Sequence, residues 1–188
     1  MNRFQKTIKT IRARKRFFVV MFISSACGIL FGISGLFDYV YVLNDSTGAL
    51  LTNVTGLMIA FGHSSIPFVT GNGFAIVSYL SGCIAGLLTL VFTFWVLYSK
   101  SATPSKYLLL AFASLMAVVG LFFAFFAIAM FTGSNPDFAV NTRTCHFTFF
   151  GYAGIIFSLA NVCINIFGIL YIGLKTETQH VLIDGPKQ

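Results

Sequence analysis

The chain reads as an all-α membrane protein, a four-transmembrane-helix bundle with a small extracellular β-meander in the first outer loop. Three observations point there. Hydrophobic residues make up 57% of the 188, and 17 glycines come on top of that, against roughly 45–50% apolar residues including glycine in a soluble domain. Charged residues are 9%, where a globular chain has about 25%, too few to cover a soluble surface. Four apolar stretches, residues 17–37, 73–98, 107–131 and 148–174, contain no Asp, Glu, Lys, Arg or His. Each exceeds the ~20 residues that cross a bilayer as helix. The same apolar content excludes disorder.

The first sixteen residues form a basic arm. Arg3, Lys6, Lys9, Arg12, Arg14, Lys15 and Arg16 are seven of the twelve cations, and no acid accompanies them. The apolar run that follows is too long for a signal-peptide core and ends in no A-x-A site, so it reads as a retained signal anchor. A mitochondrial transit peptide is the rival reading of a basic, acid-free arm, which is poor in serine for that role. A basic arm next to a membrane attracts anionic lipid, at about 1 kcal/mol per cation near the surface. It also suffices as a plain topology signal. No folded basic face or aromatic nucleic-acid motif is present, so nucleic acid is not expected as a partner.

Lys100 and Lys106 flank the middle loop, and Lys175 and Lys187 lie in the tail. With the arm, these put all cations but Arg143 on one side, and excess Lys/Arg marks the cytoplasm. The chain therefore divides into a cytoplasmic arm (1–16), a transmembrane domain (17–174) and a cytoplasmic tail (175–188). The outer loops are 38–72 and 132–147. A multi-pass protein of the secretory pathway or plasma membrane, with both termini cytoplasmic, is expected.

The first outer loop is long enough to fold. Residues 39–43 are aromatic and β-branched, as strands are, and 44–48 is a turn cluster. Residues 49–55 and 57–61 are read as two further strands, separated by Gly56. A loose loop with an apolar patch is the alternative.

Reactive groups are sparse. Cys27, Cys83 and Cys163 fall within helices; Cys145 alone is outer, either a free thiol or bonded to another chain. His63, His146 and His180 are scattered, Asp38, Asp45 and Asp137 form no cluster with them, and no metal-ligand spacing occurs. Proton transfer and nucleophilic catalysis need groups at matched positions, so no enzyme and no cofactor are expected. The absence of intramembrane charge argues against an ion-coupled pump.

The helices carry packing signals instead. Ser24, Gly28 and Gly32 recur at four-residue spacing in the first helix and Ser78, Gly82 and Gly86 in the second. Gly154 and Ser158 share that spacing in the fourth. Such small residues let backbones approach closely in lipid. Packing inside one bundle is favoured over packing between copies. Asn161 and Asn165 lie one turn apart on one face of the last helix. They read as interhelical hydrogen-bonding groups, or else as a polar line along a path. Two glycosylation sequons, Asn44-Asp45-Ser46 and Asn53-Val54-Thr55, both fall in the first outer loop. Asn53 stands farther from either helix and is the better acceptor.

The segment Thr47-Gly48-Ala49-Leu50-Leu51-Thr52-Asn53-Val54-Thr55-Gly56 resembles the start of the first outer loop in clarins, small four-helix proteins related to the claudin-like tetraspans. Ser34-Gly35-Leu36-Phe37 resembles their helix-one exit, and Leu159-Ala160-Asn161 is loosely similar to their fourth helix. The resemblance implies a non-enzymatic organiser of membrane complexes, of the kind associated with sensory-cell membranes, synapses and membrane–actin organisation, with Asn53 as the glycan site. The expected function is accordingly an organiser or accessory subunit that partners other membrane proteins. The alternative is a pore-forming or carrier subunit with an uncharged polar path along Asn161, Asn165 and the helix serines.

Overall fold

The computed structural model describes residues 3–44, 47–62, 71–99, 104–134 and 144–183. The elements are α1 (Arg3–Phe37), β1 (Tyr41–Asn44), β2 (Leu50–Val54), α2 (Gly56–Phe61), α3 (Phe74–Ser99), α4 (Pro104–Ser134), β3 (Thr144–Phe147) and α5 (Phe149–Ile183). Four helices are long and apolar enough to cross a membrane, over Lys15–Phe37, Phe74–Leu97, Tyr107–Thr132 and Phe149–Leu170. An apolar run of this length has no partner for its backbone in lipid except itself, which makes it helical. Pro104 opens α4 at the one turn where a missing N–H costs nothing. Helix α1 is continuous from Arg3, so the basic arm extends the first span as one helix.

The four long helices form a ring. α1 packs on α3 and α5, α4 packs on the same two, and α3 and α5 face each other across the diagonal with little contact. Side chains pointing outward stay apolar, as Leu30, Ile33, Leu87, Phe122 and Ile166 do, which suits contact with lipid rather than water.

One end of the ring carries a three-stranded antiparallel sheet in the order β2-β1-β3. Tyr41 pairs with Val54 and Phe147, and Leu43 with Thr52 and Cys145. Alternation puts Tyr41, Leu43, Val54, Cys145 and Phe147 on the inner face, where all are buried. They join Phe31, Tyr79, Ala127 and Phe131 from the helices in one core.

The sheet corrects the expected meander in two respects. Residues 57–61 are helical: the hydroxyl of Thr55 accepts a hydrogen bond from the Met58 backbone N–H (3.2 Å) and so caps the start of α2. Gly62, in the left-handed region at φ 76°, follows the last turn, a conformation that glycine adopts without strain. The third strand comes instead from the second outer loop, as β3. Strands from the two outer loops thus share one sheet.

Asp45, Ser46, His63, Lys100, Asp137, Arg143 and Lys187, all weighed above, lie outside the described residues.

Candidate functional site

Each of the four seams of the ring is closed by glycine contact, by a polar side chain, or by both. Between α1 and α3 the two small-residue motifs face each other. A methyl group on Gly28 would lie 2.8 Å from the Cα and N of Gly86, and one on Gly86 would lie 2.6 Å from the N of Ile29. Gly32 abuts Tyr79 and Cys83, and Gly82 abuts the Phe31 ring. These four glycines therefore sit against the chain's own helices, where a second copy has no access. The close approach lets Ser25 Oγ donate to the Gly86 carbonyl (2.8 Å).

The α3–α4 seam repeats the device: Ser78 Oγ donates to the Gly120 carbonyl (2.7 Å), and a methyl on Gly120 would meet the Ser78 carbonyl at 2.9 Å. Between α4 and α5, Ser158 Oγ donates to the Ala117 carbonyl (3.3 Å).

The α1–α5 seam holds the two asparagines. The Asn161 amide donates to the Ser24 carbonyl (2.7 Å) and to Ser24 Oγ (3.0 Å). Ser24 Oγ in turn donates to Asn165 Oδ1 (3.0 Å). The Asn165 amide donates to Thr89 Oγ1 on α3 (3.0 Å) and to Asn161 Oδ1 (3.3 Å). The Thr89 hydroxyl donates its own hydrogen bond to the Ala85 carbonyl (2.9 Å). Both asparagines are 0% exposed, and among the described residues no buried side-chain N or O atom lacks a partner. An amide in an apolar interior costs several kcal/mol unless it is bonded, so this closed circuit is what admits two of them. It ties three helices at one level.

At the sheet-bearing end, the Tyr41 and Tyr79 hydroxyls share a hydrogen bond of 2.6 Å. It joins the central strand to α3. Burial, then the adjacent Tyr79 hydroxyl, push the Tyr41 phenol well above its ordinary range. Thr148 joins the sheet to α5: its N–H donates to the Val40 carbonyl (2.9 Å), its hydroxyl donates to the Tyr39 carbonyl (2.7 Å), and the same oxygen accepts from the Gly151 N–H (3.3 Å) as the helix cap. Asn72 joins α2, α3 and α4, since Oδ1 accepts from the Phe74 N–H (3.0 Å), Nδ2 donates to the Ala127 carbonyl (3.1 Å), and its backbone N–H donates to the Ile59 carbonyl (2.8 Å).

Cys145 points from β3 into this core, and burial pushes its thiol up to about 12. Its inner-face position buries the free thiol among this chain's own side chains. Asn53 pairs with Val42 and Val42 with His146, on the outward face; Asn53 and His146 are exposed, and Asn44 is half-buried on the central strand. Among the described residues no three His, Cys, Asp or Glu side chains converge.

Ser24, Ser78, Ser158 and the two asparagines are visible as spacing in single helices; Ser25 is not. Nor are their partners. Thr89, Tyr41 and Tyr79 carry no motif; Asn72 and Thr148, a capping residue type at the edge of an apolar run, left a local signal for a helix start but none for their partners. The chain matches no family model, no curated protein and no solved structure.

Proposed function

We propose that the protein is a non-enzymatic tetraspan, clarin- or claudin-like, that acts as an organiser or accessory subunit of a membrane complex. The carrying observation is the union of strands from both outer loops in one sheet, hydrogen-bonded to the long helices α3 and α5, with α2 beside it bonded through Asn72 to α3 and α4. Such a platform presents a defined surface, and the polar groups beneath it are spent on holding the helices together. The anchoring residues Tyr41, Thr148 and Asn72 keep that surface in fixed relation to the bundle. We take the sheet-bearing end as extracellular or lumenal and both termini as cytoplasmic, on the distribution of cations, with anionic lipid at the basic arm. On the outer surface Phe61, at the end of α2, is 74% exposed and lies beyond the spans, which makes it the side chain to probe for a partner contact.

The test is purification of the full-length protein after crosslinking in native membranes, with reconstitution into planar bilayers in parallel. The expected result is a membrane complex of defined stoichiometry that Phe61→Glu dissolves, and silent bilayers. Conductance that scales with the protein and disappears in Asn165→Leu would establish the pore-forming alternative instead.

A further inference from the structure

We propose that an N-linked glycan on Asn53 guards the free edge of β2 and keeps two copies of the chain from pairing edge to edge. The proposal rests on the outward orientation of the sheet adopted under the proposed function.

Among the described residues, the order β2-β1-β3 leaves one side of β2 without a strand neighbour in the sheet. Such an edge offers backbone donors and acceptors to another strand, and proteins blunt it with charge, proline, a covering element or a bulge. Residues 47–62 contain no charged residue and no proline. A bulge does lie on β2, with Leu51 the extra residue opposite the Leu43–Asn44 step; it bends the strand at that one position and adds no charge to the edge. Leu50 and Leu51 on this strand are 60% and 42% exposed. The edge is uncharged and apolar, a combination that favours self-pairing.

Asn53 is the one residue of this strand that both faces outward and stands in a sequon. An oligosaccharide is bulky and solubilising, and here it would overhang the unpaired side of β2. Asn44 is differently placed. It lies on the central strand, half-buried, flanked by Leu50 and Thr144, so a glycan there would stand away from the edge.

The transfer has to precede folding. In the folded chain the Thr55 hydroxyl, which the sequon requires, is occupied in capping α2, and Val54 between them is buried. The sheet is completed by β3, two membrane spans later in the chain, which leaves time for modification of the open loop. The Asn53 side-chain nitrogen bonds to the anomeric carbon of an oligosaccharide borne on a lipid diphosphate. The carbon–oxygen bond to that diphosphate breaks, the lipid diphosphate departs, and the amide nitrogen releases one proton.

The experiment expresses the full chain as wild type, Asn53→Gln, Asn44→Gln, Thr55→Ser, Thr55→Ala and the double variant Asn53→Gln/Leu51→Lys. A glycosidase gel shift reads the sugar, and size exclusion with light scattering in mild detergent reads self-association. The shift is expected in wild type, Asn44→Gln and Thr55→Ser, and absent in Asn53→Gln and Thr55→Ala. Asn53→Gln should pass from monomer to dimers and larger species, and adding Leu51→Lys should restore the monomer. A glycosylated wild type whose Asn53→Gln form stays monomeric overturns the guarding role. So does association that Leu51→Lys leaves unchanged. No shift in wild type overturns the whole proposal, and a C-terminal tag that antibody reaches only after permeabilisation would then show the topology intact.

Discussion

Asn165→Ala removes the centre of the intramembrane circuit, and its cost follows from the contacts. The side chain makes two bonds to other long helices, one accepted from Ser24 and one donated to Thr89, both 3.0 Å. Interhelical hydrogen bonds in lipid contribute about 0.6 kcal/mol each on average and up to about 1.7. Their loss therefore costs about 1–3 kcal/mol, and truncation adds a small cavity. The lone contact between Asn165 and Asn161 is longer, at 3.3 Å, and adds little. A double-mutant cycle with Ser24→Ala isolates one of these bonds. The expected coupling is about 0.6–1.7 kcal/mol, measured by reversible unfolding in bicelles. Ser81 serves as the control, because its hydroxyl donates to the Val77 carbonyl within its own helix (2.6 Å). Zero coupling between Ser24 and Asn165, with a single-variant cost no larger than that of Ser81→Ala, would refute the circuit as a helix clamp.

Three further outcomes follow from the geometry. Gly86→Ala should destabilise the bundle by about 1–3 kcal/mol through overpacking, since the added carbon meets backbone of α1, whereas Gly73→Ala, with nothing within 4 Å, should leave the thermal midpoint unchanged; equal effects would disprove a tight α1–α3 seam. In a chain whose other cysteines are Ala, Cys145 should resist a water-soluble maleimide at pH 8 until denatured, because a thiol raised to about 12 holds roughly 10³-fold less thiolate than a free one. The native state then binds more protons than the unfolded state above the free-thiol range, so this contribution is full below about pH 8.5 and falls as the pH rises toward 12; Cys145→Ala should flatten a pH titration between about pH 8.5 and 10, above which the raised Tyr41 phenol acts with the same sign. Thr148→Ala should cost about 1–2 kcal/mol as a lost helix cap and loosen the sheet, seen as faster amide exchange at β3, while Thr148→Ser retains protection; matched exchange in the two variants would count against the joint.

Much of this protein follows from its sequence alone. Apolar runs of more than 20 residues in a chain that is 9% charged leave helix as the only backbone solution in lipid, so four spans and their approximate ends were legible. The small-residue ridges and the Asn161/Asn165 pair were legible too, because helical spacing is a local property. The meander differs at residues 57–61 because Leu57, Met58 and Ala60 are good helix formers and the Thr55 hydroxyl caps the turn they start. It differs again at the third strand because sheet pairing is long-range: β3 comes to β1 only after α3 and α4 have brought the second outer loop beside the first. Which helix answers each polar group was likewise undetermined. Ser24, Thr89, Asn161 and Asn165 lie on three helices, and a hydrogen bond between them depends on how those helices are rotated and stacked, which no periodicity within a single helix contains.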